Sequence, residues 1–276
     1  MTLVRRRHSS VAGRWYSDDP AQLTAEVDRY VSQAALDAVG SPVVAIVAPH
    51  AGLMYSGPVA AFAYKAASRC GCTAAVLVGP SHYVPFHGAS IWPDGVWESP
   101  LGDVAIDAEL AHAIHAGSDT VVDLPSAHGR EHSLEMQLPF VARLLPGIPI
   151  VPLVMGHQTR QAAFALADAL EHALSGRDGR TLLIASSDLS HYENATTAQA
   201  LDAVVLRHVE ALDADGLMRA LEIEPRHACG GGPMVSVLEA ARRLGAAHAH
   251  VLEYADSGDV SGDKSSVVGY MAAAIW

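Results

Sequence analysis

The chain has 276 residues, half of them hydrophobic and 17% charged, with a formal net charge of −12. A typical domain is roughly a quarter charged, so much of this chain must be buried. The acidity argues against nucleic acid, whose phosphates need a basic stripe, and against anionic membrane surfaces; the one basic run, Arg5-Arg6-Arg7, is too short to change that. No run of about 18 apolar residues is present for a membrane span. No apolar segment of a secretory signal is visible either, so a cytoplasmic location is expected. Cys70, Cys72 and Cys229 are too few for a disulfide framework.

Ser17-Asp18-Asp19-Pro20 reads as a helix start, with proline in the first turn and Leu23, Val27, Tyr30 and Ala34 on one face. Val43 to Ala48 is a continuous apolar run ending in Pro49-His50-Ala51-Gly52, and the stretch from Pro58 to Ala67 reads as a helix. A second such run, Ala74 to Val78, stops at Gly79-Pro80-Ser81-His82. A short amphipathic helix is predicted from Asp107 to His115, ended by Gly117. Leu134, Leu138, Val141 and Leu145 also recur at helical spacing, with Pro139 forcing a kink or a new turn.

A third apolar strand, Ile148 to Met155, leads through Gly156-His157 to a helix from Gln158 to Leu174. The fourth, Thr181 to Ala185, runs into Ser186-Ser187-Asp188-Leu189-Ser190-His191. Helices over Thr197 to Ala211 and Pro233 to Leu244, then strands over Ala249 to Tyr254 and Ser266 to Ala273, complete the chain. Apolar strands without alternation, separated by helices, specify an α/β fold with a mostly parallel central sheet covered by helices on both faces. No linker interrupts the pattern, and one domain over residues 1–276 is expected.

Such sheets bind ligands beyond the carboxyl ends of their strands. His50 and His82 each follow a buried strand through a proline, which puts both imidazoles on stiff loops at one sheet edge. One histidine so placed is as well explained by a hydrogen bond to loop backbone; two in equivalent positions point to a shared metal ion. Asp188 could orient His191 as a general acid/base, or Ser187 and Asp188 could simply cap a helix. In Glu131-His132-Ser133-Leu134-Glu135, Ser133 is suited to cap the following helix with Glu135 in its first turn. That leaves His132 to reach the sheet edge. Cys229 lies in His227-Ala228-Cys229-Gly230-Gly231-Gly232-Pro233 just before a predicted helix, a place that favours thiolate; the alternative is a turn cysteine. The chain carries no G-x-S-x-G elbow, P-loop, G-x-G-x-x-G or H-E-x-x-H motif.

Seven landmarks in order resemble the Memo family, whose bacterial and archaeal members are called AmmeMemoRadiSam system protein B. They are Ala12-Gly13-Arg14-Trp15-Tyr16, Ala48-Pro49-His50-Ala51-Gly52, Gly79-Pro80-Ser81-His82, Glu131-His132-Ser133-Leu134-Glu135, Ser186-Ser187-Asp188-Leu189-Ser190-His191, Cys229-Gly230 and Ser265-Ser266-Val267. The family is similar in fold to class III extradiol dioxygenases. The resemblance implies a non-haem site for one iron or copper ion, with His50, His82 and Cys229 as ligands. Cys229 would stand where the dioxygenases use a glutamate. His191, Asp188 and His132 are then the catalytic candidates, and Trp15, Tyr55 and Glu135 the candidates for lining a substrate cleft. Two functions follow from it: a metal-dependent oxidoreductase, or a non-catalytic adaptor that takes a peptide in the same cleft. Protein partners of the AmmeMemoRadiSam set are a further implication.

Overall fold

The structure is a computed structural model and describes residues 4–36 and 39–276. Nine strands form its central sheet among the described residues: β1 (Ala45–Ala48), β2 (Ala74–Pro80), β3 (Ala89–Ile91), β4 (Val121–Val122), β5 (Ile150–Met155), β6 (Thr181–Ser186), β7 (His191–Glu193), β8 (Ala249–Asp256) and β9 (Val267–Ile275). Their order is β7-β9-β1-β6-β2-β5-β3-β4, and β8 also pairs with β9. The four central strands, β1, β6, β2 and β5, are mutually parallel. Antiparallel partners flank them, β9 on β1 and β3 on β5. Every residue of β1, β2 and β5 is buried, which is why their sequences do not alternate.

Six of the helices are α1 (Pro20–Gln33), α2 (Leu53–Ala67), α3 (Ala108–Ala116), α4 (Arg160–Leu174), α5 (Ala195–Glu210) and α6 (Gly231–Arg243), and a further one spans Ala214–Ile223. They cover both faces of the sheet: α2 packs on β1 and β9, while α6 packs on β6 and β2 with α4 beside it. In α1 the Asp19 side chain caps the N–H of Gln22, and Leu23, Val27 and Tyr30 are buried. The cap contributes about 1 kcal/mol and each buried large side chain about 1.5–3 kcal/mol, so the buried face holds this helix in place. No helix among the described residues is long and apolar enough to cross a membrane.

Three local expectations change. The second helix begins at Leu53, not Pro58; the proline sits inside it, and the carbonyl its ring leaves without a partner belongs to exposed Met54. Leu53 N–H donates to the Trp15 carbonyl instead, tying the helix start to the N-terminal segment. The stretch after His132 is a 3₁₀ turn, Glu135–Gln137, followed by a short helix, Leu138–Leu144, with Pro139 in its first turn. Ser133 does not cap it, because its hydroxyl donates to the Pro80 carbonyl at 2.9 Å. A small second sheet of two-residue strands (Arg6–Arg7, Val96–Trp97, Val104–Ala105) lies outside the predicted pattern.

Candidate metal centre

The loops after β1 and β2 bring His50 and His82 together, their ring centroids 5.3 Å apart, as the strand-end pattern predicts. His132 joins them: its ring stacks on His82 at 4.5 Å and stands edge-on to His50 at 5.6 Å. One nitrogen from each of the three lies within 4.8 Å of the other two, a spacing that one metal ion can bridge. Cys229 adjoins this trio at the His50 side, with its Sγ 3.2 Å from His50 Nε2.

Hydrogen bonds fix how two of these rings point. The Ser186 hydroxyl gives its hydrogen to the Ser133 carbonyl at 2.7 Å and accepts from Gln137 Nε2 at 2.8 Å. It can therefore only accept from His50 Nδ1, 2.9 Å away. That places the proton on Nδ1 and leaves a lone pair on Nε2. At His82, the Glu131 carboxylate accepts from Nδ1 at 2.9 Å, with the same consequence. A carboxylate behind a ligating imidazole in this way fixes the tautomer and raises basicity.

Burial and charge set the protonation states. Desolvation, then the neighbouring His82, holds the buried His50 well below the usual imidazole range. Desolvation and His50 bring His132 down to about 4. Burial pushes the Glu131 carboxyl up, but its hydrogen bonds from His82 and from the backbone of His82 and Ser133 outweigh that and hold it at about 2. His50 and His132 are thus held as neutral imidazoles near an ionised carboxylate, the forms that metal binding requires.

Cys229 sits one residue before the Gly230 cap of α6. The helix start does not make it a thiolate here: burial, and then the nearby Asp188, push the thiol up. Its loop is pinned by the Cys229 N–H on the Asp188 carbonyl and the Gly230 N–H on Ser187 Oγ, at 3.2 and 2.9 Å. A Cβ at Gly230 would fall 2.5 Å from the Ser186 carbonyl oxygen, so only glycine permits this approach. A cavity of about 510 Å³ opens beside the loop, lined by Gln158, Met218, Leu221, Ala228, Cys229 and Gly232 among others.

Asp188 and His191 are not paired as expected. Asp188 is buried and accepts the backbone N–H groups of His50 and Ala51, at 2.7 and 3.2 Å; burial raises its carboxyl. His191 Nδ1 donates instead to the Leu189 carbonyl at 2.8 Å, leaving Nε2 free. The carboxylate under this loop is Asp202, which accepts from Ser190 N–H at 2.9 Å and from Tyr254 Oη at 2.8 Å. A bulge between His191 and Glu193 leaves Tyr192 with φ 62° and 78% exposed.

Of the cleft candidates, Trp15 packs on His132 with ring centroids 4.4 Å apart. Tyr55 is half-buried in the first turn of α2. Glu135 has no exposed surface to offer a ligand: it pairs with buried Arg7 and accepts from Ser9 Oγ, Tyr16 Oη and the Val11 N–H at 2.7–2.9 Å. It anchors the segment that carries Trp15. Sequence reasoning passed over Glu131, Ser186 and Gln137 as site residues. The one signal for Glu131 was a glutamate directly beside a candidate histidine.

The family model described as "Memo-like protein" matches residues 7–274. The chain is 39% identical over 274 residues to a MEMO1 family protein of Methanothermobacter thermautotrophicus, covering 96% of this chain and 98% of that one. It is 36% identical over 276 residues to another from Methanopyrus kandleri, covering 96% and 97%. In fold it is similar to an uncharacterized protein of Escherichia coli K12, with a TM-score of 0.54, 15% identity, and coverage of 83% and 99%.

Proposed function

This chain belongs to the Memo family, and on that premise we propose that it is a non-haem metal-dependent oxidoreductase that takes one iron or copper ion and acts on a small molecule. The observation that carries the reading is the pair of Nε2 lone pairs on His50 and His82, left free because Ser186 and Glu131 occupy both Nδ1 positions. His132 completes the group of three imidazoles, and the Cys229 thiol beside His50 is the further donor this reading draws on. Imidazole with one sulfur donor suits iron and copper, whereas magnesium and calcium prefer oxygen. When bound, such an ion supplies one-electron redox chemistry. The chain itself contributes a half-buried His191, whose Nε2 can hold or accept a proton while Leu189 fixes the ring. The cavity beside Cys229 falls in the size range of small-molecule sites, about 300–1,000 Å³.

The test is metal analysis of anaerobically purified protein, followed by oxygen uptake with a panel of catechol and thiol substrates. About one iron or copper per chain is expected, lost in the His50→Ala, His82→Ala double variant. Full occupancy in that variant would remove the assignment. A second reading, a peptide-binding cleft, is favoured by the exposure of Tyr83 beside His132 and of Tyr192 beside His191. It gains ground if metal binds and no substrate supports uptake.

A further inference from the structure

Gln158 bridges the loop that carries Cys229. Its Nε2 donates to the Cys229 carbonyl at 2.7 Å, and its Oε1 accepts the Gly232 N–H at 2.7 Å. Both ends of one side-chain amide thus span the entry into α6, from Cys229 to the helix's second residue. The contact is close: a Cβ added at Gly232 would lie 2.9 Å from Gln158 Cβ and 2.7 Å from Met155 Sδ.

Gln158 is itself firmly held. It follows β5 through Gly156 and His157, whose N–H groups donate to Gly88 and Phe86 carbonyls at 3.0 and 2.7 Å. It precedes Thr159, the side-chain cap of α4. The clamp therefore runs from a fixed strand end to the start of α6, whose Cys229 and Gly230 N–H groups are also held by Asp188 and Ser187. Gly230 caps α6 and Gly231 and Gly232 open it, and glycine is the most conformationally free residue, so this helix start has no side chains of its own to hold it. Something outside it must choose one conformation.

We infer that Gln158 is the positioning residue that sets the distance between the Cys229 thiol and His50, and so decides whether sulfur enters the metal's coordination sphere. The inference rests on the proposal that Cys229 serves the metal site. Without the clamp the glycine-rich start of α6 relaxes, the 3.2 Å approach of Sγ to His50 Nε2 is lost, and the three imidazoles bind metal without sulfur.

Gln158→Met keeps the length and bulk of the side chain and removes both hydrogen bonds; Gln158→Glu keeps the acceptor for Gly232 and removes the donor to Cys229. Each is compared with wild type and Cys229→Ser in the full chain. The first readout is the sulfur-to-metal charge-transfer band on cobalt(II) titration, and the second is the alkylation rate of Cys229 in metal-free protein. Wild type should show the band and Cys229→Ser should not. In Gln158→Met the band should weaken at least several-fold, with metal affinity 10–100-fold lower, the usual effect of losing a group that orients a ligand. Cys229 should also be alkylated several-fold faster, and Gln158→Glu should fall between Met and wild type in both readouts. A wild-type band that persists unchanged in Gln158→Met overturns the positioning role while leaving Cys229 a ligand. No band in wild type overturns the ligand role of Cys229, and this inference with it.

Discussion

Glu131 Oε1 stands 2.9 Å from His82 Nδ1 and also accepts the backbone N–H groups of His132 and Ser133, each at 2.9 Å. One buried carboxylate thus orients the His82 ring and fixes the backbone that presents His132. Glu131→Gln removes the charge and puts an amide where acceptors are needed. Metal affinity should fall about 10–100-fold, read by chelator competition. An affinity equal to wild type would show that His82 needs no partner to bind metal.

Asp188 and His191 should separate in their effects, because Asp188 holds the His50 backbone and not the His191 ring. Asp188→Asn should weaken metal binding. His191→Ala should leave metal affinity nearly intact and lower any oxygen-dependent turnover by roughly 10²–10⁴, the range for a lost acid/base group. Collapse of metal affinity in His191→Ala would make His191 a ligand.

The Arg7–Glu135 pair is sealed inside the protein, with side-chain exposures of 1% and 0%. Glu135→Ala strands a buried guanidinium and should cost about 3–5 kcal/mol in urea unfolding. The Arg6–Asp103 pair, 39% exposed on both sides, is the control: Asp103→Asn should cost no more than about 1 kcal/mol. Similar losses in both would mean that Glu135 is not the keystone of its segment.

Stability should fall with acidification through His128. Burial, then Arg7, brings this imidazole down to about 3; Arg5 lowers it further, while the Ser90 hydrogen bond and Asp123 raise it. Its folded value lies below the unfolded value of about 6.5. Between those limits the unfolded chain binds the extra proton, so the contribution is complete above pH 6.5 and lost as pH falls toward 3. The slope from this group alone approaches about 1.4 kcal/mol per pH unit. Replacing it by glutamine should flatten the stability profile between pH 6 and 4; a profile as steep as wild type would assign the loss to His50, His132 and the carboxylates.

The parts that were legible in the sequence rest on local pattern and one topological rule. Four unalternating apolar runs gave the parallel strands, and the rule that ligands gather at strand carboxyl ends placed His50 and His82 together. What escaped depends on distant approach. Asp188 reads most simply as a partner for His191, three residues on, yet it takes the N–H of His50, 138 positions away. Glu135 looks like a cleft residue until the N-terminal segment, more than 118 positions away, is seen to close over it. Two-residue strands such as Arg6–Arg7 and Val96–Trp97 carry no periodicity to detect.

The anchoring of the Arg6–Arg7 strand on Glu135 also sets a schedule for biosynthesis. Arg7 and its acceptor are separated by 128 positions, and ribosomes add about 5–20 residues per second. The N-terminal segment therefore waits roughly 6–26 s after its own synthesis before the carboxylate that fastens it exists. Asp103 and Asp123, the partners of Arg6 and Arg5, are made earlier, so Arg7 is the last of the three arginines to find its carboxylate. Codons that slow translation between positions 7 and 135 would lengthen that wait without altering a single contact of the finished molecule.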